Sequence, residues 1–235
     1  VHDLVEQALD EADNSFGESE LQRVKNWLLE NGHGTLLEYV ESGEDRGYDE
    51  RRSFREKDVW FDIGDVPIAP ILNTRFTWRE HRMVWNEAGA IADQQFYMIQ
   101  PDDGVDELVL CGILNSRISA LTNELLGRRA GGEGMTRLQK TIYETEMLPI
   151  PDPAEMSDEE KEEIRNAILA LMEREDELEE DASLDEKEEE MERLDRAVLG
   201  TVGLEDRFEE LKQAVEGLVQ SRARGAGQDT EVLVE

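Results

Sequence analysis

The chain has 235 residues, with 58 Asp and Glu against 25 Lys and Arg and a formal net charge of −33. Its 38% hydrophobic content suffices for a folded core, which argues against a wholly disordered acidic chain despite a pI near 4.3. A single cysteine, Cys111, excludes an internal disulfide and fits a reducing, cytoplasmic setting, and neither a membrane-length apolar run nor a secretory signal is visible.

Leu4, Val5, Ala8, Leu9 and Ala12 recur at helical spacing and predict a short helix, broken at Asn14 to Glu18. The opening on Val1 rather than Met, directly in this periodicity, reads as a fragment or processed chain with something upstream. Leu21, Val24, Trp27 and Leu28 line a second helix that Asn31-Gly32 ends, and Ser42 to Glu50 reads as a polar connection. From Arg51 to Ile99 the texture changes. Val59 to Ile63, Ile68 to Leu72 and Gln95 to Ile99 predict short strands between Gly, Pro and Asn turns.

Leu110, Ile113, Leu114, Ile118, Leu121 and Leu125 predict one helix. Gly127 to Gly134 reads as a mobile basic loop, and Pro149-Ile150-Pro151-Asp152-Pro153 as a rigid closure. Ser157 with Glu160 forms a capping box opening a helix through Ile164, Ala167, Ile168, Leu171 and Met172. Leu184, Met191, Leu194 and Val198 continue helically, and Leu204, Phe208, Leu211, Val215 and Leu218 follow a Gly-rich break. Gly225 to Glu235 is expected to fray. The expectation is an α+β fold: a helical segment over 1–45, a small domain of mixed sheet and helix over 46–155, an acidic helical extension over 156–224 and a frayed tail over 225–235.

Charge follows this division. Residues 1–45 hold 2 Lys/Arg and 12 Asp/Glu, residues 141–235 hold 10 and 31, but residues 46–140 hold 13 and 15. Acidity laid over helical periodicity reads as a surface adapted to high salt, where the Debye length is about 3 Å at ~1 M. Its suspension in the middle points to contact with a polyanion. Screening weakens long-range attraction, so short-range contacts must carry any such binding.

The densest candidate site is Arg75-Phe76-Thr77-Trp78-Arg79-Glu80-His81-Arg82. Arginine forms paired hydrogen bonds with phosphate or a guanine edge, and aromatic rings stack or wedge against bases. The competing reading makes Phe76 and Trp78 core residues on alternate strand positions, with the arginines paired to local acids. Arg128 and Arg129 beside glycines could follow a phosphate backbone, with Arg137 and Lys140 just downstream. Arg51, Arg52, Arg55 and Lys57 form an earlier basic group that could edge the same surface or pair with Glu50, Glu56 and Asp58. Arg75, Trp78, Arg79, Arg82, Arg128, Arg129, Arg137 and Lys140 are therefore the candidate contacts.

Catalysis finds little support. His2, His33 and His81 are scattered, no zinc spacing or nucleophile elbow exists, and the Gly-rich loop lacks the Gly-Lys-Ser/Thr ending of a nucleotide P-loop.

Val59-Trp60-Phe61, Ile71 to Arg82, Gln95 to Ile99, Leu110 to Ser116 and Leu148 to Pro153 together form a recognisable series. It resembles the C-terminal target-recognition region of TaqI/Eco57I-type adenine-N6 DNA methyltransferases of restriction–modification systems, in a haloarchaeal version. The pairing of Leu114-Asn115-Ser116 with Leu148-Pro149-Ile150-Pro151 is its most distinctive part, and the resemblance covers roughly residues 40–155. It implies recognition of double-stranded DNA by 46–155 in partnership with a methyltransferase domain or subunit. That domain carries the S-adenosylmethionine site and an Asn-Pro-Pro-Tyr/Phe motif. Neither motif occurs here, so no catalytic residue, cofactor or metal is assigned to this chain. Leu114 to Ser116 and Leu148 to Pro151 fit scaffold positions as well as base contacts. A rival of another class is a helical scaffold that never meets DNA, with homo-oligomerisation through the helical tail as a further expectation.

Overall fold

The computed structural model describes residues 1–11, 17–78, 80–130, 137–178 and 184–231, the stretch 223–231 as backbone. Arg79 and parts of the expected break at 14–18 and of the 127–134 loop lie outside the described residues, as do 232–235 of the expected tail. The chain divides into two units, Val1–Pro67 and Ile68–Glu235. This differs from the expected boundaries at 45 and 155. Among the described residues no helix is long and apolar enough to cross a membrane.

The first unit is helical. Helix α1 (His2–Glu11), α2 (Glu20–Glu30) and α3 (Gly34–Asp45) follow in order. The Ser19 hydroxyl caps α2 by accepting the Gln22 N–H at 3.3 Å. Val5, Ala8, Val24, Trp27 and Leu28 make the core, and Val59 joins them. The expected strand at Val59 to Ile63 does not form. Val59 and Trp60 are instead enclosed in a turn, the Trp60 indole donating to Glu44 at 3.3 Å, while Ile63 is exposed. Arg51, Arg52, Arg55 and Lys57 belong to this unit. Arg51 lies 4.1 Å over the Tyr48 ring, and Arg55 and Lys57 donate to the carbonyls of Glu50 and Asp62.

The second unit holds two antiparallel sheets and the remaining helices. One sheet has the order β3 (Met83–Trp85), β1 (Ile71–Thr74), β4 (Phe96–Ile99), with Leu72 opposite both Val84 and Met98. The strand expected at Ile68 to Leu72 thus starts at Ile71. The other sheet has the order β2 (Phe76–Thr77), β6 (Arg137–Gln139), β5 (Arg128–Ala130). Part of the expected basic loop is therefore strand.

The apolar run after Pro101 forms two helices, α4 (Glu107–Asn115) and α5 (Arg117–Leu126), not one. Ser116 adopts extended backbone between them, at φ −69 and ψ 159, and its hydroxyl donates to the Ile113 carbonyl at 2.7 Å. Asn115 explains the break. Its side chain accepts from the Met83 N–H at 2.9 Å and donates to the Met83 carbonyl at 3.1 Å, pairing with β3 as a strand would. Leu114 and Leu148 are buried together against Ile71 and Met83. Leu114, Ser116 and Leu148 are thus buried, whereas Pro149 is exposed.

After a short helix α6 (Ile142–Glu146), the capping box of Ser157 and Glu160 opens α7 (Asp158–Glu177) as expected. Then come a 3-10 turn at Leu184–Lys187, α8 (Glu188–Gly200) and α9 (Phe208–Glu231). Val109 and Ile113 of α4, Ile164, Ala167, Ile168 and Leu171 of α7, and Met191, Leu194 and Val198 of α8 form one core. The expected α+β arrangement with following acidic helices is present, and those helices complete the interior of this unit. Fully burying a Leu or Ile is worth about 1.5–3 kcal/mol, so these helices supply much of its stability.

Candidate nucleic-acid interface

The register of the second sheet decides which side chains share a face. Phe76 stands opposite Gln139, which stands opposite Arg128; Thr77 stands opposite Leu138, which stands opposite Arg129; and Arg137 stands opposite Ala130. Thr77 and Leu138 are each 2% exposed and point inward. Strand alternation then puts Phe76, Arg137, Gln139 and Arg128 on the outer face. Gly127 permits this arrangement at the end of α5, because a Cβ there would lie 2.6 Å from the Asn123 carbonyl oxygen.

On that face the Arg137 guanidinium lies 4.1 Å over the Phe76 ring and 5.9 Å from Trp78, while Arg75 approaches Phe76 from 5.7 Å. Trp78 is 53% exposed and belongs to no core cluster, so the reading of it as a core residue is set aside. Among the described residues, Arg75, Arg129 and Arg137 make no ion pair, and the Nε atoms of Arg75 and Arg137 are buried without a hydrogen-bond partner. A guanidinium lying on a ring keeps its N–H edge available for an anion.

The other expected contacts divide. Arg128 has a 72% exposed side chain and pairs with Glu144 at 2.8 Å. Arg82 pairs with Glu175 at 2.7 Å, away from the arginine–aromatic face. Lys140 requires a correction. It is fully buried, its ammonium donating to Asn73 Oδ1 at 2.8 Å and lying 3.2 Å from His81 Nδ1, so it has no surface to offer a phosphate. Burial pushes it down to about 8.

Lys140 belongs to an internal network instead. Asn73 donates to Thr145 Oγ1 at 3.1 Å, and Tyr97 donates to the Lys140 carbonyl at 3.1 Å. With Nδ1 facing the ammonium, His81 carries its proton on Nε2, donating to the Leu114 carbonyl at 3.0 Å. Asn123 on α5 touches the same nitrogen at 3.1 Å. The network fixes the segment after Trp78 between the two sheets and α5.

Sequence reading missed two residues that shape this face. Glu124 and Arg222 form a doubly hydrogen-bonded pair at 2.7 and 3.0 Å, and Arg222 also donates to the Trp78 carbonyl at 2.5 Å. Their separation along the chain left no local signal. The i, i+2 spacing of Phe76 and Trp78 did signal a shared strand face.

A cavity of about 620 Å³ also lies in this unit, lined by Glu80, Arg82, Glu175, Asp176, Lys187 and Glu188 above Ile168, Leu171 and Met191. Lys187 is bridged there to Glu80 and Glu175. Its acidic wall is unsuited to a polyanion.

No curated protein and no solved structure matches the chain. A family model described as type II methyltransferase M.Eco57I, C-terminal domain, matches residues 8–187, a span that includes both sheets and the helices through α7. The chain belongs to that family.

Proposed function

We propose that this chain grips double-stranded DNA on behalf of an adenine-N6 methyltransferase of a restriction–modification system, with the outer face of β2, β6 and β5 as the contact surface. One observation carries the reading: Arg75 and Arg137 lie against the Phe76 ring with no carboxylate partner among the described residues, beside the exposed Trp78. In a chain with more than twice as many acids as bases, a group of cations without acids is kept so by placement. In the acidic helices Arg165, Arg174, Arg196, Arg207 and Lys212 are ion-paired, and Lys161 and Arg193, which make no ion pair among the described residues, lie on no aromatic ring; the aromatic setting is what distinguishes Arg75 and Arg137.

Arg75 and Arg137 supply phosphate contacts that fix register. Trp78 offers a ring to a base step or to the groove wall. These contacts act at short range, which suits a chain whose total charge repels DNA. Methyl transfer to adenine inside a duplex requires the base to leave the stack, and that work falls to the catalytic domain, which also binds S-adenosylmethionine. No residue of this chain is assigned to that cofactor.

The test is fluorescence anisotropy of a labelled mixed-sequence duplex titrated with the chain at several salt concentrations. The expected result is binding that weakens as salt rises, with a non-specific Kd on the order of 10⁻⁴–10⁻⁶ M at physiological salt. A chain that only scaffolds other subunits would leave the duplex unbound even at low salt.

A further inference from the structure

We infer that the last helix sets the DNA-contacting face, with Arg222 of α9 as a positioning residue for Trp78. This rests on the proposed role of Trp78 at a DNA surface and adds what holds that residue in place. Arg222 is 4% exposed although it lies near the end of an acidic chain. Its Nε and Nη2 donate to both carboxylate oxygens of Glu124 on α5, and its Nη1 donates to the Trp78 carbonyl. Glu124 is itself enclosed, with a side chain 6% exposed. The guanidinium therefore ties three separate parts of the chain at one point: α9, α5 and the residue that follows β2.

Asn123, the neighbour of Glu124 on α5, touches His81 Nε2. Glu124 of α5 holds the chain at Trp78 through Arg222. The Trp78 hold depends on α9 being docked. Leu199 of α8 and Phe208 and Leu211 of α9, packed with Ile118 and Leu121 of α5, provide that docking. Both α8 and α9 lie beyond the residues matched by the family model. The helices added past that match reach back to the recognition face.

A residue that positions a contact differs measurably from one that makes it. Removing a phosphate contact lowers the slope of log K against log salt by about one, whereas loosening Trp78 weakens binding without changing the number of counterions released. Arg222→Ala alone would leave Glu124 buried without a partner and threatens the fold. The decisive variant is therefore the double substitution Glu124→Met with Arg222→Met, which removes both charges, keeps apolar bulk between α5 and α9, and deletes the hydrogen bond to the Trp78 carbonyl.

The experiment compares this variant with the unmodified chain by anisotropy of a labelled mixed-sequence duplex between about 50 and 200 mM salt, with thermal unfolding and amide hydrogen exchange alongside. The expected result is a folded protein, roughly tenfold weaker binding (about 1.4 kcal/mol), an unchanged salt slope and faster exchange around Trp78. Equal affinity and equal exchange in a folded variant would overturn the role of Arg222 and leave the DNA reading standing. Failure of the unmodified chain to bind the duplex at any salt would overturn both.

Discussion

Lys140 Nζ lies 3.2 Å from His81 Nδ1, and among the described residues no carboxylate joins them. Part of the His81 ring lines the cavity, but both its nitrogens turn inward. Burial, with the neighbouring Lys140 charge, pushes the imidazole from 6.5 down to about 3, and burial pushes the lysine from 10.5 down to about 8. Between pH 6.5 and 3 the unfolded chain binds a proton at His81 that the folded chain refuses, so stability falls on acidification, by on the order of 4–5 kcal/mol in full. Between pH 8 and 10.5 the folded chain has released the Lys140 proton that the unfolded chain still holds. Stability therefore rises across that window, by on the order of 3 kcal/mol. Urea unfolding from pH 4 to 10 measures both arms, with Lys140→Met expected to abolish the alkaline rise. A native chain whose stability matches that of the variant at every pH above 8 would refute the buried charge.

Asp195 is fully buried on α8 and accepts from the Arg117 backbone N–H at 2.6 Å and from its guanidinium at 2.7 Å. Arg117 also pairs with Glu188, so removing Asp195 leaves the guanidinium half satisfied and the Arg117 N–H without its acceptor, at a cost of about 1–3 kcal/mol. Asp195→Ala is expected to lower Tm by on the order of 5 °C, while Asp195→Asn, which keeps an acceptor for the N–H, costs less. Thermal unfolding followed by circular dichroism distinguishes them. Equal Tm for Asp195→Ala and the unmodified chain would show that the pair contributes nothing to the fold.

Gly112 sits where α4 meets α7 and α8. A Cβ there would lie 2.7 Å from Ile164 Cγ2 and 3.4 Å from both Ile168 Cβ and Leu194 Cδ1. Overpacking of this kind costs about 1–3 kcal/mol, enough to outweigh the gain of about 1 kcal/mol in helix propensity from Gly112→Ala. A variant more stable than the parent in urea unfolding would mean that the helices are not packed at this distance.

A chain ended at Pro153 loses the α7 and α8 half of the core around Val109 and Ile113. It is expected to show collapsed, non-cooperative unfolding and to bind a dye that reports exposed apolar surface. A sharp two-state transition in that shortened chain would show that α7 and α8 are dispensable to the fold.

The helices were legible because their apolar residues recur at 3.6 spacing and their caps are local, as with Ser157 and Glu160. Helix α3 was hidden because Gly34, Ser42 and Gly43 give it the texture of a loop. The stripe from Leu110 to Leu125 hid the break at Ser116, since its apolar spacing continues across the interruption and only the Asn115 pairing with Met83 shows why the backbone stops. The second sheet joins Phe76 to Gln139 across a long separation, which no local pattern encodes. Lys140 was read as a surface base from its charge and its neighbours. Its burial follows from Asn73, His81 and the sheet packing around it. The arginine–aromatic segment was legible by composition, while its division into free and acid-paired arginines needed the fold.

The most direct measurement is the salt dependence of duplex binding for the unmodified chain and for the double variant Arg75→Ala with Arg137→Ala. If these two arginines contact phosphates, affinity falls at least tenfold and the slope of log K against log salt drops by about two. Arg174→Ala with Arg207→Ala, removing two acid-paired arginines of the acidic helices, serves as the control and leaves both unchanged. An unchanged affinity and slope in the Arg75 and Arg137 variant would contradict the account.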